Sequence, residues 1–374
     1  MYHDYHNERI RNIAHTRGLI NQRLESDKLF VPETKRLSDH IDKFIAFQET
    51  RHKSRKIGAG QLGQIIEYMK PYRKWTQENE TKNVDVVGTK EHIDAYFGFI
   101  LDKVQQNEIS PGYGKKWFTT FKRFFWFLID EKTLSFRPPW EGRRDDKYTI
   151  KEEEREPKIL PLDVVRKIFE AAPLRIRLFM LLVLNCGFGQ AEIGRLERIK
   201  YDSEEGTIAH KRKKTKTCKN APTVTYRLWP LTKKLLDQQI ELQKQYPKHT
   251  EHCHLLLLNE MGKPLWSERF DEKHRKSDNI TCQFKRFVAE LRKKDKDMPE
   301  CTFYMFRRTA STAIFNSDQF SNLDWLFLGH APKTTAGQHY SVALAKKLDP
   351  CMKWLEEEIL GKTNEEKNKR VDEQ

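Results

Sequence analysis

Three side chains in the C-terminal part of the chain have types that can work together: Arg307 in Phe306-Arg307-Arg308-Thr309, His330 in Leu328-Gly329-His330, and Tyr340 after His339. An arginine keeps its proton, and its planar fork grips two phosphate oxygens. A tyrosine phenol can attack phosphorus and hold it as a phosphoester, which conserves the bond energy for the reverse step. Its ordinary pKa is about 10, so nearby positive charge must lower the cost of deprotonation. A histidine fits as a second phosphate donor or a proton shuttle. The departing alkoxide still needs a proton, and a lysine can release one and regain it from water. Upstream, Lys211-Arg212-Lys213-Lys214-Thr215-Lys216 is a dense run of bases. Together these residue types point to metal-free attack of Tyr340 on a phosphodiester, with Arg307 as the phosphate clamp.

Such a set must be held by folded elements, and the composition says what they face. The 374 residues exceed one ordinary core and fit two domains plus tails. Charged residues make up 33 % and hydrophobic ones 37 %, enough for compact domains with very polar surfaces. The net charge of +15 favours a polyanion, because each phosphate neutralised by Lys or Arg releases counterions. The six cysteines are scattered without a Cys-x-x-Cys pair, as in the reduced thiols of a cytoplasmic protein. His249, His252, Cys253 and His254 match no standard zinc spacing and read as a surface loop. The N-terminus lacks the apolar run of a signal peptide, and no segment is apolar enough to span a membrane. No cofactor or metal is expected.

Residues 1–34 are polar and carry no firm pattern. Apolar spacing then predicts helices from Arg36, after the basic stretch Arg51 to Lys56 until Pro71 disturbs it, after Thr89 as N-cap, and from Pro111 to Asp130. In the last, Trp117, Phe121, Phe124, Phe125 and Leu128 share a core face, leaving Lys115, Lys116, Lys122 and Arg123 for phosphate contacts. Residues 35–135 therefore form a helical domain. The charged, proline-bearing stretch 136–157 reads as a linker. Helical patterning resumes at Pro161 and covers Ile176 to Leu184. A hairpin follows, with strands at 207–210 and 223–229 and the basic run at its tip. Further helices are expected near 231–246, 278–294, 304–316, 320–328 and 335–358.

Phe306-Arg307-Arg308-Thr309 resembles the second arginine box of the tyrosine recombinase (phage integrase) family, and Leu328-Gly329-His330 with Tyr340 resembles its histidine–tyrosine box. The resemblance implies a mostly α fold with a small β-sheet. It would be a two-domain clamp: a helical core-binding (SAM-like) domain, then an α+β catalytic domain over 158–350, followed by a C-terminal helix and charged tail over 351–374. It also implies that the catalytic lysine sits at the hairpin tip, with Lys214 first and Lys216 second. Lys211, Arg212, Lys213 and Lys216 would line DNA phosphates. Two positions depart from the family's pattern. Gly189, in Cys186-Gly187-Phe188-Gly189-Gln190-Ala191-Glu192, stands where the first arginine belongs, and Tyr304 replaces the histidine three residues before Arg307. A substitute cation is needed, and Arg195, Arg308 and the hairpin bases are all candidates.

The expected function is site-specific cleavage and rejoining of double-stranded DNA through a 3′-phosphotyrosyl intermediate at Tyr340, by a homotetramer assembled on DNA. The C-terminal Trp354 to Leu360 segment is a candidate for docking on a neighbouring copy. The alternative is an integrase-like protein that kept DNA binding but lost the chemistry. An RNA-binding protein is a third reading, resting on charge alone.

Overall fold

The computed structural model describes residues 35–134, 138–140, 146–152, 156, 158–212, 222–331 and 335–361, the stretch 335–347 by its backbone. The chain divides into two compact units, 1–154 with 269–274, and 155–268 with 275–374.

Among its described residues the first unit has four α-helices, α1 (Leu37–Lys53), α2 (Ala59–Glu78), α3 (Lys90–Gln105) and α4 (Pro111–Asp130). Local capping fixes where two of them start. Thr89 Oγ1 accepts the His92 amide at 3.3 Å, and Ser110 Oγ accepts the Tyr113 amide at 3.3 Å ahead of Pro111 at N1. The core is aromatic, with Phe44, Tyr72, Tyr96, Phe121, Phe124 and Phe125 fully buried, and the Tyr72 and Tyr96 rings meet edge-on at 4.8 Å. Burial pushes the His92 imidazole down to about 4, so it stays neutral, and its Nε2 shares a hydrogen bond with the Tyr72 hydroxyl at 2.9 Å.

Helix α2 runs on through Pro71, contrary to the break expected there. The lost amide hydrogen bond to the Glu67 carbonyl is outweighed by what the continuation buries, Tyr72 and Trp75, both central to the ring cluster. The stretch expected as a linker also contributes to this core. Tyr148 and Ile150 are buried, and Trp140 packs edge-on against Phe125 at 5.1 Å. Asp94 accepts from Tyr148 Oη at 2.6 Å and from Lys147 Nζ at 2.8 Å, tying this stretch to α3. Isolated apolar residues in a charged segment have no periodicity, which is why their burial left no trace in the pattern.

In the second unit, α5 (Leu162–Ala171) leads into α6 (Leu174–Cys186), which is buried over nearly its whole length and forms the centre of the core. A four-residue turn of helix, α7 (Gln190–Ile193), follows. Strands β1 (Tyr201–Asp202), β2 (Thr207–Lys211) and β3 (Thr223–Arg227) form an antiparallel sheet in that order, with Ile208 opposite Tyr226 and His210 opposite Val224. Asn185 locks the end of α6 to β3 by accepting the Trp229 amide at 2.9 Å and donating to the Arg227 carbonyl at 3.1 Å. After α8 (Pro230–Leu242) comes a hairpin that the sequence pattern did not reveal, β4 (Trp266–Phe270) and β5 (His274–Asp278), whose tip at 269–274 counts with the first unit. Its residues are mostly charged, so no apolar alternation marks it. Then come α9 (Asn279–Lys294), α10 (Phe303–Phe315), the short α11 (Asp324–Phe327) and α12 (Thr335–Leu360).

The C-terminal segment does not stand apart for a neighbour. Leu348, Cys351, Met352, Leu355 and Ile359 are buried in this unit's own core, and Trp354 packs on Phe320 at 5.6 Å. Arg166 caps the last carbonyls of α12, donating from Nε to Ile359 O at 2.8 Å and from NH2 to Glu358 O at 2.6 Å. The apolar residues of this segment form the helix's own core face. No helix among the described residues is long and apolar enough to cross a membrane.

Candidate active site

Arg307 lies on the buried face of α10 and is only 3 % exposed. Such a charge must be paired, and it finds acceptors on three segments. NH1 donates to the Gly187 carbonyl and, at 3.0 Å, to Glu192 Oε2; NH2 donates to the Leu328 carbonyl at 3.2 Å. Gly187 ends α6 with φ +61°, a left-handed turn in which an added Cβ would meet Phe327 at 3.0 Å. That turn is what aims its carbonyl at the guanidinium.

His330 is fixed from the other side. Gly329 takes φ +64°, its amide donates to Leu326 O, and the His330 amide donates to Trp325 O, both at 2.8 Å, so the end of α11 holds the histidine in place. Tyr226, buried on β3, donates its hydroxyl to Phe327 O at 2.9 Å and braces the same turn.

Arg212 completes the cluster. Strand alternation puts Ile208, His210 and Arg212 on one face of β2 and its extension, and Ile208 is fully buried, so that face looks inward. Arg212 Nε lies 3.2 Å from Glu192 Oε1, and NH1 donates to His330 Nε2. Because an arginine only donates, His330 Nε2 must be the lone-pair nitrogen, with the proton on Nδ1. Burial, then Arg212 and Arg307, push the His330 pKa below its ordinary value, in keeping with a neutral ring.

Glu192 is the hub. Its Oε2 accepts the Gly189 amide at 2.7 Å and Arg307, while Oε1 faces Arg212. Burial would raise its carboxyl, but His210, Arg307, the Gly189 amide and Arg212 outweigh that and hold it at about 2. One carboxylate thus sits between two guanidiniums beside a neutral imidazole, leaving one positive charge among largely buried side chains. An anion such as a phosphodiester would neutralise it.

Of the expected site residues, the structure brings Arg307 and His330 together through Glu192 and Arg212. Tyr340 falls in the first turns of α12, and its side chain lies outside the described residues, as do Lys213, Lys214 and Lys216. Lys211 ends β2 opposite Thr223. Two of the candidate replacements for the first arginine are engaged elsewhere. Arg195 stacks on the Trp266 ring at 3.7 Å and pairs with Glu268 at 3.8 Å, and Arg308 lies over the exposed Tyr304 ring at 5.2 Å. In the helical unit Lys115, Lys116 and Arg123 are exposed along α4 and line an open cleft with Gln61, Gln64 and Glu152; Lys115 pairs with Glu152 at 3.0 Å. Lys122 instead lies over the Phe118 ring at 4.9 Å and the Trp140 ring at 5.2 Å. Glu192 is a site residue that the sequence reading did not include. Its signal is a carboxylate three residues after Gly189 at the start of a short helix, in capping-box position.

A helical unit followed by an α+β unit that gathers arginine, histidine and a basic hairpin defines the tyrosine recombinase class of DNA strand transferases. Residues 158–347 match the phage integrase family, and the chain belongs to that family. Solved structures show the same fold at low identity. The Tn1549 transposon integrase (residues 82–397) in complex with circular intermediate DNA is 13 % identical with a TM-score of 0.55, over 81 % of this chain and 98 % of that one. A lambda integrase (residues 75–356) dimer bound to a COC′ core site is 16 % identical with a TM-score of 0.55, over 81 % and 94 %. A lambda integrase tetramer bound to a Holliday junction is 16 % identical with a TM-score of 0.54, over 85 % and 80 %. A comparison with curated proteins finds no match.

Proposed function

We propose that this chain cleaves and rejoins double-stranded DNA at specific sites through a 3′-phosphotyrosyl intermediate on Tyr340. The supporting observation is the buried Arg307, held by three acceptors and joined through Glu192 and Arg212 to His330. In this reading the Tyr340 phenol passes its proton to water and attacks the scissile phosphorus. The bond to the 5′-oxygen breaks, and that oxygen takes a proton from Lys214. Arg307 and His330 hold the non-bridging oxygens as charge grows on them. Attack by a 5′-hydroxyl on the phosphotyrosine reverses the sequence and frees the phenol.

Lys115, Lys116, Arg123, Lys211, Lys213 and Lys216 would contact the backbone of the duplex and position it without reading its sequence. Exchange between two duplexes requires four cleavages, so four copies would assemble on DNA. Support for that assembly comes from the lambda integrase neighbour, which is a tetramer on a Holliday junction. A cytoplasmic location belongs to the same reading.

The test is covalent trapping on a nicked suicide duplex whose site has been selected from random sequence by binding. Wild-type protein should form an adduct that survives denaturation, and Tyr340→Phe should bind with the same affinity and form none. Trapping that persists in Tyr340→Phe refutes the assignment of the nucleophile. Wild-type protein that binds its site but never becomes trapped supports instead a DNA-binding protein without the chemistry.

A further inference from the structure

We propose that Arg212 is the second phosphate-gripping guanidinium of this site, reaching in from the end of β2 to do what no side chain at position 189 can. The inference rests on the reading of the site as a DNA strand-cleaving centre. It is carried by the shared carboxylate: Glu192 presents one oxygen to Arg307 at 3.0 Å and the other to Arg212 at 3.2 Å, so the two forks are held side by side. Arg212 also donates to His330, which links the imidazole to the same pair of guanidiniums.

Position 189 leaves that role open. Gly189 has ordinary extended backbone at φ −91°, and an added Cβ would meet, among the described residues, only Glu192 Oε2 at 3.4 Å. No side chain competes there for the carboxylate, and Arg212 takes it from the strand. Arg195 and Arg308, two of the other candidate cations, are held against Trp266 and Tyr304. Lys211 belongs to the opposite face of the strand, because successive side chains alternate. Charge agrees with the geometry. Two guanidiniums against one ionised carboxylate leave a net positive site that a bridging phosphate would complete, each fork offering N–H donors to a different non-bridging oxygen.

The experiment compares wild type, Arg212→Ala and Arg212→Lys on two suicide substrates, one with the natural scissile phosphodiester and one with a neutral methylphosphonate there. A group that neutralises phosphate charge is needed only when that charge is present. On the phosphodiester, Arg212→Ala should form adduct about 10²–10³-fold more slowly, with DNA affinity nearly unchanged, and Arg212→Lys should lose less. On the methylphosphonate, Arg212→Ala should approach the wild-type rate. A second arm restores the charge from the other side: Gly189→Arg combined with Arg212→Ala should regain much of the rate on the phosphodiester. Equal losses on both substrates would show that Arg212 only holds Glu192 and His330 in place, and would overturn the proposal, as would a variant that matches wild type. Wild-type protein that forms no adduct on either substrate overturns the underlying reading, and this assignment with it. Circular dichroism and thermal melting of the variants confirm that they fold. If Arg212→Ala alone does not fold, the double variant decides: recovery of the rate supports the proposal, and its absence in a folded double variant refutes it.

Discussion

Replacing Glu192 by glutamine should damage the catalytic unit more than most single substitutions. The carboxylate compensates two guanidiniums, at 3.0 Å and 3.2 Å, and caps the Gly189 amide at 2.7 Å. Its pKa is held at about 2 against an ordinary 4.5, and the side chain is 15 % exposed. At 1.36 kcal/mol for each tenfold, that difference is about 3 kcal/mol of stability. The folded value lies below the unfolded one, so this contribution is fully present above pH 4.5 and disappears as the pH falls towards 2. Glutamine keeps the shape but removes the charge, leaving the buried Arg307 and the half-buried Arg212 facing each other without it, and breaking such a pair costs about 3–5 kcal/mol. For a unit of this size the melting temperature should drop by about 6–20 °C at pH 7. Thermal melts of wild type and Glu192→Gln between pH 2 and 7 check this, with the gap between them closing at the acid end. A gap that is absent at pH 7, or one that does not shrink on acidification, refutes the hub role of Glu192.

Gly187→Ala places a Cβ at φ +61° within 3.0 Å of Phe327, so it should cost about 1–3 kcal/mol and displace a carbonyl that holds Arg307. Melting and covalent-trapping rates should both fall. His330 should titrate below the ordinary 6.5 in the wild type and move upward in Arg212→Gln, which removes a neighbouring cation; histidine ring NMR reads this directly. Neutralising Lys115, Lys116 and Arg123 to glutamine should reduce the slope of log affinity against log salt by about 2–3, without changing the preference among DNA sequences.

Much of the helical unit was legible because its core is large and periodic. Phe121, Phe124, Phe125 and Leu128 are buried as their spacing required, and Thr89 caps α3. The second unit's central helix and the β2–β3 pairing were equally plain. What escaped lacks a pattern of its own. The β4–β5 hairpin is charged on both faces, and Trp140, Tyr148 and Ile150 are lone apolar residues in a polar stretch. Pro71 is a helix breaker by its chemistry, yet tertiary packing carries α2 past it. At the site, Arg307 and His330 were recognisable from their boxes. Arg212 does not stand out from a run of bases, although strand alternation from the buried Ile208 through His210 distinguishes it. Composition hides that distinction, because only the strand's register separates Arg212 from Lys211 on the opposite face.

The most direct test of a tyrosine nucleophile at this site is to locate the covalent bond. Protein trapped on a suicide duplex, digested with nuclease and trypsin, should yield the peptide Thr334 to Lys346 carrying a deoxynucleotide 3′-phosphate on Tyr340, with a free 5′-hydroxyl on the released strand. A nucleotide on any other residue, or a link to the 5′ end, would contradict it.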